Sequence, residues 1–370
     1  MDFALTDIQT EFRTTLRRFM VERPAPDPRE DPGEAARWWR TVHWSALAGL
    51  GAQAALLPEA YDGMGGDSID AMVIAEELGR GLAAAPFIET VIVAGGLIDR
   101  LGSERQKREL LPAIAAGRIT CAFADGGFAS QRSAFAAQPG EGAIGGRQAL
   151  VSDAPCDRLL LLARMGEAPG HTLFCLRPDQ PGLRLRTFAT IDDRPAATVE
   201  ADDLRPEPDD RIGPIGGADE AAAEMLDRAV AAQCAEAVGI MASLLNQTIA
   251  HVQTRTQFGQ TLASFQALQH RLADMVMAWE LAQSLTCKAA ILCRDGGDER
   301  RMTVSAAKVQ TVEAARRIGH EAIQMHGAIG MSLELPVGRA VKRLKAMEPA
   351  YGSADYHVRR YRDLRRGRAA

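Results

Sequence analysis

Arg255-Thr256-Gln257-Phe258-Gly259-Gln260, followed by Ser264-Phe265-Gln266, is the stretch around which this chain is organised. Before it, Val238, Met241, Leu245 and Ile249 recur three and four apart, which predicts a helix that stops at the turn. Gly259 breaks the chain, and a second long helix is expected after Ser264. Its residues Phe265, Leu268, Leu272, Met275, Trp279 and Ala282 form a bundle seam. The turn presents a guanidinium, a hydroxyl, two amides and an aromatic ring. Arginine forks onto phosphate oxygens and glutamine both donates and accepts, so these groups suit a diphosphate and the edges of a flat heterocycle. A solvated interhelical turn would use the same residue types.

Working outward toward the C-terminus, His270 and Arg271 lie beside the seam, where a structural role is expected for His270. Residues 304–325 predict a further helix, which gives way to a glycine-bearing turn at His326-Gly327. The basic tail from Arg359 to Arg366 reads as a solvated helix end, where cations suit the exposed carbonyls.

The N-terminal part is also helical. Thr6 with Gln9 reads as a capping box, and Ile8, Phe12, Leu16 and Phe19 fall on one stripe of the helix it starts. Proline and acidic residues from Pro24 to Asp31 interrupt it. Trp38, Trp39 and Trp44 follow in a helical pattern and are expected to anchor a core rather than stack on a ligand. Leu57-Pro58-Glu59 and Asp62-Gly63-Met64-Gly65-Gly66 lack the strand and helix that flank a nucleotide fingerprint, so they read as a loop. Helices are expected over 69–82 and 86–101. Gly102 ends the second, and Ser103 with Gln106 caps another that stops near Pro112.

From Gly117 the pattern changes. Short apolar runs at 120–123, 158–163, 172–176 and 183–188, separated by Gly, Pro and Asp clusters, predict strands of a small β-barrel or sandwich. The segment 203–219, rich in Pro, Asp and Gly, reads as the linker out of it. The expected organisation is therefore mainly α with a small β middle domain: a helical domain over 1–117, a β domain and linker over 118–217, and a C-terminal bundle over 218–370.

The composition is that of a globular protein: 370 residues, 46% hydrophobic and 25% charged. A formal net charge of -5 argues against nucleic acid. Cys121, Cys156, Cys175, Cys234, Cys287 and Cys293 form no CxxC pair and are expected to be reduced, mostly buried thiols. His326 and His357 have no third ligand spaced to join them, so no metal is expected. Asp2 and Asp7 stand where a signal peptide would carry basic residues, and no segment reaches the roughly 20 uninterrupted apolar residues of a membrane span. A cytoplasmic location is expected.

The run from Arg255 to Met275, together with Gln324-Met325-His326-Gly327-Ala328-Ile329-Gly330-Met331, Phe3-Ala4-Leu5-Thr6 and Leu57-Pro58-Glu59, resembles the acyl-CoA dehydrogenase family. Within it the closest resemblance is to small subunits of heteromeric enzymes of the pimeloyl-CoA dehydrogenase type. The resemblance covers nearly the whole chain. It implies an N-terminal helical domain, a β domain and a C-terminal four-helix bundle that oligomerises, with FAD held between two subunits. It also implies that Arg255, Thr256, Gln257, Phe258, Phe265, Gln266, Gln324, Met325, His326, Gly327 and Ala328 touch a neighbour's FAD.

The chain's own half of a flavin site departs from the family pattern. Thr-Glu-Pro-x-x-Gly-Ser becomes Ala124-Asp125-Gly126-Gly127-Phe128-Ala129-Ser130, and Trp-Ile-Thr becomes Leu150-Val151-Ser152. Ser130, Ser152, Ser353 and Asp355 remain as cofactor contacts implied by the resemblance. The C-terminal Glu-Gly-Thr pattern becomes Tyr351-Gly352-Ser353, so the glutamate that usually acts as base is replaced by Tyr351. Desaturation needs a base at the α-proton while flavin takes the β-hydride, and a phenol with its ordinary pKa of about 10 is poorly matched to that task. The alternative family position for the glutamate falls on Ala229, with Asp227 turned about 200° around the helix. The family's arginine near the CoA end falls on Val230 rather than Arg228. No catalytic residue is therefore assigned to this chain.

The expected function is that of an FAD-dependent acyl-CoA dehydrogenase subunit that lacks the glutamate, in an α2β2 heteromer. A sister acyl-CoA dehydrogenase-like subunit would supply the base and hold most of the acyl-CoA, with an electron-transfer flavoprotein or similar acceptor. The resemblance points to dicarboxylyl, ring-bearing or sterol side-chain thioesters. Two rivals are a self-sufficient homomeric flavoenzyme with other chemistry, such as a flavin monooxygenase, and a scaffold partner without flavin.

Overall fold

A computed structural model describes residues 4–23, 43–127, 134–137, 142–332 and 335–367. Phe3, the 24–31 segment, Trp38, Trp39 and Ser130 lie outside the described residues. The chain divides into two compact units, one of residues 1–35, 68–83 and 230–370, the other of 36–67 and 84–229.

The first unit is helical. Helix α1 (Asp7–Glu22) opens on the expected capping box, with the Gln9 N–H donating to Thr6 Oγ1 at 3.2 Å and the Thr6 N–H to Gln9 Oε1 at 3.1 Å. Leu16 and Phe19 are buried, but Ile8 is 80% exposed. Ile8 shares the expected helix face, but burial does not extend along that stripe to its first member. What docks α1 on helix α3 (Ser68–Arg80) is also ionic. Arg17 grips buried Glu77 with two hydrogen bonds, and Arg13 and Arg80 both pair with buried Glu76.

Helix α6 (Asp219–Thr254), α7 (Gln266–Leu292), α8 (Asp298–His326) and α9 (Pro336–Met347) share one core that includes Val238, Met241, Leu245, Met275, Ile318, Met325 and Leu344. Helix α10 (Ala354–Gly367) follows α9. The α7 seam is as expected, with Met275 and Ala282 buried and Leu268, Leu272 and Trp279 packed against the same core. Where α3 crosses α6, glycines let the backbones touch. A Cβ on Gly239 would lie 1.9 Å from the Glu76 carbonyl oxygen, and one on Gly79 2.0 Å from that of Glu236. Lys308 of α8 is buried; its Nζ donates to Gln233 Oε1 of α6 and, at 2.8 Å, to the Met347 carbonyl that ends α9.

Helix α6 meets the length and hydropathy of a membrane span, but 89% of that apolar window is buried inside the fold, as in a core helix.

The second unit carries helix α2 (Trp44–Gly49), whose Trp44 is buried as expected of a core anchor. The helix expected over 86–101 is wound as a π-turn at Ile88–Gly95 and continues as α4 (Gly96–Leu101). Helix α5 (Glu104–Ala115) has the expected Ser103/Gln106 box but runs through Pro112. That boundary is a correction: one absent N–H is outweighed by burial of Leu111, Ile114 and Ala115.

An eight-stranded sheet fills the rest of this unit, in the order β6-β7-β3-β2-β4-β5-β8, with β1 beside β4. The expected runs appear as β1 (Cys121–Ala124), β4 (Arg158–Arg164), β5 (His171–Leu176) and β6 (Leu183–Ala189). The sequence missed β2 (Phe135–Ala137), β3 (Ile144–Ser152) and β7 (Pro195–Leu204). It also read Arg211-Ile212 as linker, whereas β8 (Arg211–Ile212) pairs with β5 through Leu173↔Ile212. Isolated from β5, two residues carry too little pattern to read as a strand.

Candidate functional site

The turn at 255–261 is a two-residue hairpin. Thr256-Gln257 forms β9 and Gln260-Thr261 forms β10, in the register Gln260↔Gln257 and Thr261↔Thr256. Phe258 and Gly259 occupy its tip with φ of 53° and 80°, the left-handed pair that a tight hairpin of this kind requires. The hairpin is pinned at its base, where the Arg255 N–H donates to the His251 carbonyl at 2.8 Å and the Leu262 N–H to the Arg255 carbonyl at 2.9 Å. Phe265 meets Phe258 edge-on at 6.3 Å, while Phe258 itself stays 89% exposed.

Arg255, Thr256, Gln257, Phe258 and Gln266 all lie exposed, with Phe265 partly buried. The Arg255 guanidinium makes no ion pair among the described residues.

The second cluster ends α8. Gln324 is exposed, Met325 and His326 are buried, and Gly327 and Ala328 are exposed. Gly327 has φ 68° and ψ -146°, and a Cβ placed there would meet nothing within 4 Å. The space beside its Cα is therefore open, in a conformation that suits glycine, while its own N–H donates to the Ile323 carbonyl. His326 Nδ1 lies 2.8 Å from the Ala322 carbonyl, and its ring stacks on that of His251 with centroids 4.3 Å apart. This stack joins the two clusters. A guanidinium without an ion pair among the described residues, two histidines and exposed amides make a donor set that fits a dinucleotide diphosphate, and the open space at Gly327 leaves room beside it.

The structure does not bring Ser353 and Asp355 to that place. Both are exposed at the start of α10, where the Tyr356 N–H donates to Ser353 Oγ at 3.3 Å, a helix-capping contact. Buried His357 of α10 contacts Ser305 Oγ through Nδ1 at 3.3 Å, which fixes this segment beside the N-terminal third of α8. Ser305 and His326 are 21 residues apart on one helix, roughly 30 Å at 1.5 Å per residue.

Tyr351 belongs to this far end. It has φ 56°, is partly buried, and packs against Val230, Ala231, Cys234, Ala289, Cys293, Val304 and Ala307. Its carbonyl oxygen lies 3.1 Å from His357 Nε2. Glu348, three residues earlier, is held down to about pKa 2, first by its hydrogen bond with Arg316 and further by Lys345, so it is an ion-pair carboxylate.

In the other unit, Ser152 ends β3 partly buried, and Leu150 is 51% exposed where the resemblance expects an indole. Asp125 accepts from the Gly127 N–H at 3.0 Å, so this carboxylate serves its own loop. Ala229, the alternative base position, is fully buried. Arg228 pairs with Glu224. Among the described residues no His/Cys/Asp/Glu group could hold a metal, and the six cysteines are free.

Sequence reasoning missed His251. The signal was present, since His251 stands one turn before Arg255 and so shares its helix face.

Two family models match. The one described as acyl-CoA dehydrogenase, N-terminal domain, covers residues 6–118, and the one described as acyl-CoA dehydrogenase, C-terminal domain, covers 219–362. The chain is 29% identical over 371 residues to the 3-sulfinopropanoyl-CoA desulfinase of Paraburkholderia xenovorans (strain LB400), covering 95% of this chain and 94% of that one. Its fold superposes on a glutaryl-coenzyme A dehydrogenase in complex with glutaryl-CoA at TM-score 0.91 and 23% identity, over 99% and 97% of the two chains. A variant of the Tcur3481-Tcur3483 steroid ACAD gives TM-score 0.84 at 27% identity, over 98% and 99%.

Proposed function

The chain belongs to the acyl-CoA dehydrogenase family, and we propose that within it this is the subunit without the base in a heteromeric FAD-dependent enzyme that desaturates a CoA thioester. The contrast between the two ends of α8 carries this reading. One end presents an arginine with no ion pair among the described residues, exposed amides and an open glycine turn; the other, roughly 30 Å away, has a tyrosine packed among apolar side chains where the resemblance places the family's glutamate. A chain serving only itself would need both ends functional. A chain that completes a sister's site needs the first alone.

When bound, FAD supplies acceptance of the substrate's β-hydride. Arg255 would bind the diphosphate as a fork, with Thr256 and Gln257 donating beside it and the absent side chain at Gly327 leaving room for close approach. Gln324 and Gln266 would fix the edge of the nucleotide, and Phe258 and Phe265 would cover it from water. Ser152, Ser353 and Asp355 are retained positions of the chain's own half, and Ser130 belongs with them by sequence. The α-proton would go to a glutamate of the sister chain, because Tyr351 is built into the core here. A strip of exposed apolar residues on α7, Val276, Met277 and Leu281, supports assembly through the bundle.

The steroid ACAD relative supports a ring-bearing or sterol side-chain thioester, and an electron-transfer flavoprotein is the proposed acceptor. That no disulfide joins the six cysteines supports the cytoplasm as the proposed compartment. The desulfinase relative supports a second reading, a self-sufficient flavoenzyme with chemistry other than desaturation.

Arg255→Ala tests the site. Loss of a charge-assisted fork costs about 1.5–3 kcal/mol, so flavin content of the assembled complex should drop with affinity about tenfold or more weaker. Unchanged flavin would remove the Arg255 hairpin from the cofactor site.

A further inference from the structure

The stacked imidazoles beside Arg255 make no ion pair among the described residues. His251 sits one turn before Arg255, and His326 arrives from the end of α8 with its ring 4.3 Å away and inclined by 26°. His326 Nδ1 donates to the Ala322 carbonyl at 2.8 Å, which fixes its ring against that of His251. Among the described residues, the charged groups acting on the His251 ring are His326 from α8 and Arg255 from the end of its own helix, and no carboxylate is among them. Desolvation first, then these two cations, hold His251 below its ordinary pKa. Two stacked rings beside a guanidinium repel one another as cations, and a neighbouring dianion reverses that balance.

We propose that His251, stacked on His326, is a further binding residue of the Arg255 site, and that His251 takes up a proton when a nucleotide diphosphate binds. The proposal rests on the reading of the Arg255 hairpin as the cofactor-diphosphate site. The diphosphate diester of FAD is already fully ionised near neutrality, so the proton must come to the protein from solvent. A group whose pKa is higher in the bound state binds the anion better as pH falls and loses that advantage as pH rises through its bound-state pKa. The site would therefore hold its cofactor more tightly at low pH.

The test uses the FAD-stripped assembly of this chain with its sister, titrated with FAD by calorimetry in two buffers of different ionisation enthalpy. The wild type should take up a substantial fraction of a proton per FAD, with affinity falling between about pH 6 and about pH 8 by at most about tenfold per unit. His251→Gln should lose most of that uptake and flatten the profile while still binding FAD. Arg255→Ala should weaken binding throughout the range. If wild type binds FAD with no proton uptake and a flat profile, His251 is not coupled and the proposal is overturned, whatever His251→Gln does. If Arg255→Ala binds as wild type does, the diphosphate site itself is misplaced, which is a different failure.

Discussion

Position 351 is where the proposed role of this chain turns on a single side chain. Tyr351 adopts a left-handed backbone and joins an apolar cluster with Cys234, Cys293 and Val304. Removing a general base costs about 100-fold to 10,000-fold in rate. Tyr351→Phe should instead leave turnover of the assembled complex within about twofold, measured as acceptor reduction at saturating acyl-CoA. A hundredfold loss would make the phenol hydroxyl part of the chemistry. Nearby, burial lowers the pKa of Lys308 to about 8, with the Arg343 charge acting in the same direction. The unfolded chain then binds more protons than the folded one between about pH 8 and the ordinary lysine value of about 10.4, so stability from this group rises with pH across that window. Urea denaturation of Lys308→Met should show that rise reduced; an identical pH profile would mean that burial does not hold the Lys308 pKa below the ordinary lysine value.

Among the elements, the crossing of α3 and α6 is the tightest built feature of the helical unit. Gly239→Ala would place a methyl carbon 1.9 Å from the Glu76 carbonyl oxygen, between two backbones that cannot yield as a flexible side chain would. Alanine gains about 1 kcal/mol in helix propensity, but overpacking costs about 1–3 kcal/mol or more, so a net loss of stability is expected. Thermal unfolding should shift down by a few degrees, and an unchanged or raised midpoint would contradict the close approach. The sequence made helices legible where apolar residues recur on one face and a box marks the start, as at Thr6 and Ser103. It hid β3, because Gly145, Gly146, Arg147 and Gln148 interrupt any alternation, and β7, whose alanines and acids resemble a loop. Those strands exist through pairing, Arg147↔Glu200 and Gln148↔Val199 among the contacts, which no local pattern records.

Across the whole molecule, the Arg255 hairpin and the Gly327 turn were legible as motifs, while their junction was not, because the His251–His326 stack depends on where two helices end. The separation of Ser353 and Asp355 from that junction was equally hidden, since 355 follows 328 closely in sequence yet lies near the opposite end of α8. This separation is what makes a site shared between chains the natural reading. Its most direct test is the flavin stoichiometry and mass of this chain purified alone and then co-expressed with a sister chain carrying the glutamate. The account predicts flavin only in the mixed complex, at about one per pair of chains, in an assembly of two copies of each. A full complement of flavin on a homo-oligomer of this chain alone would contradict it.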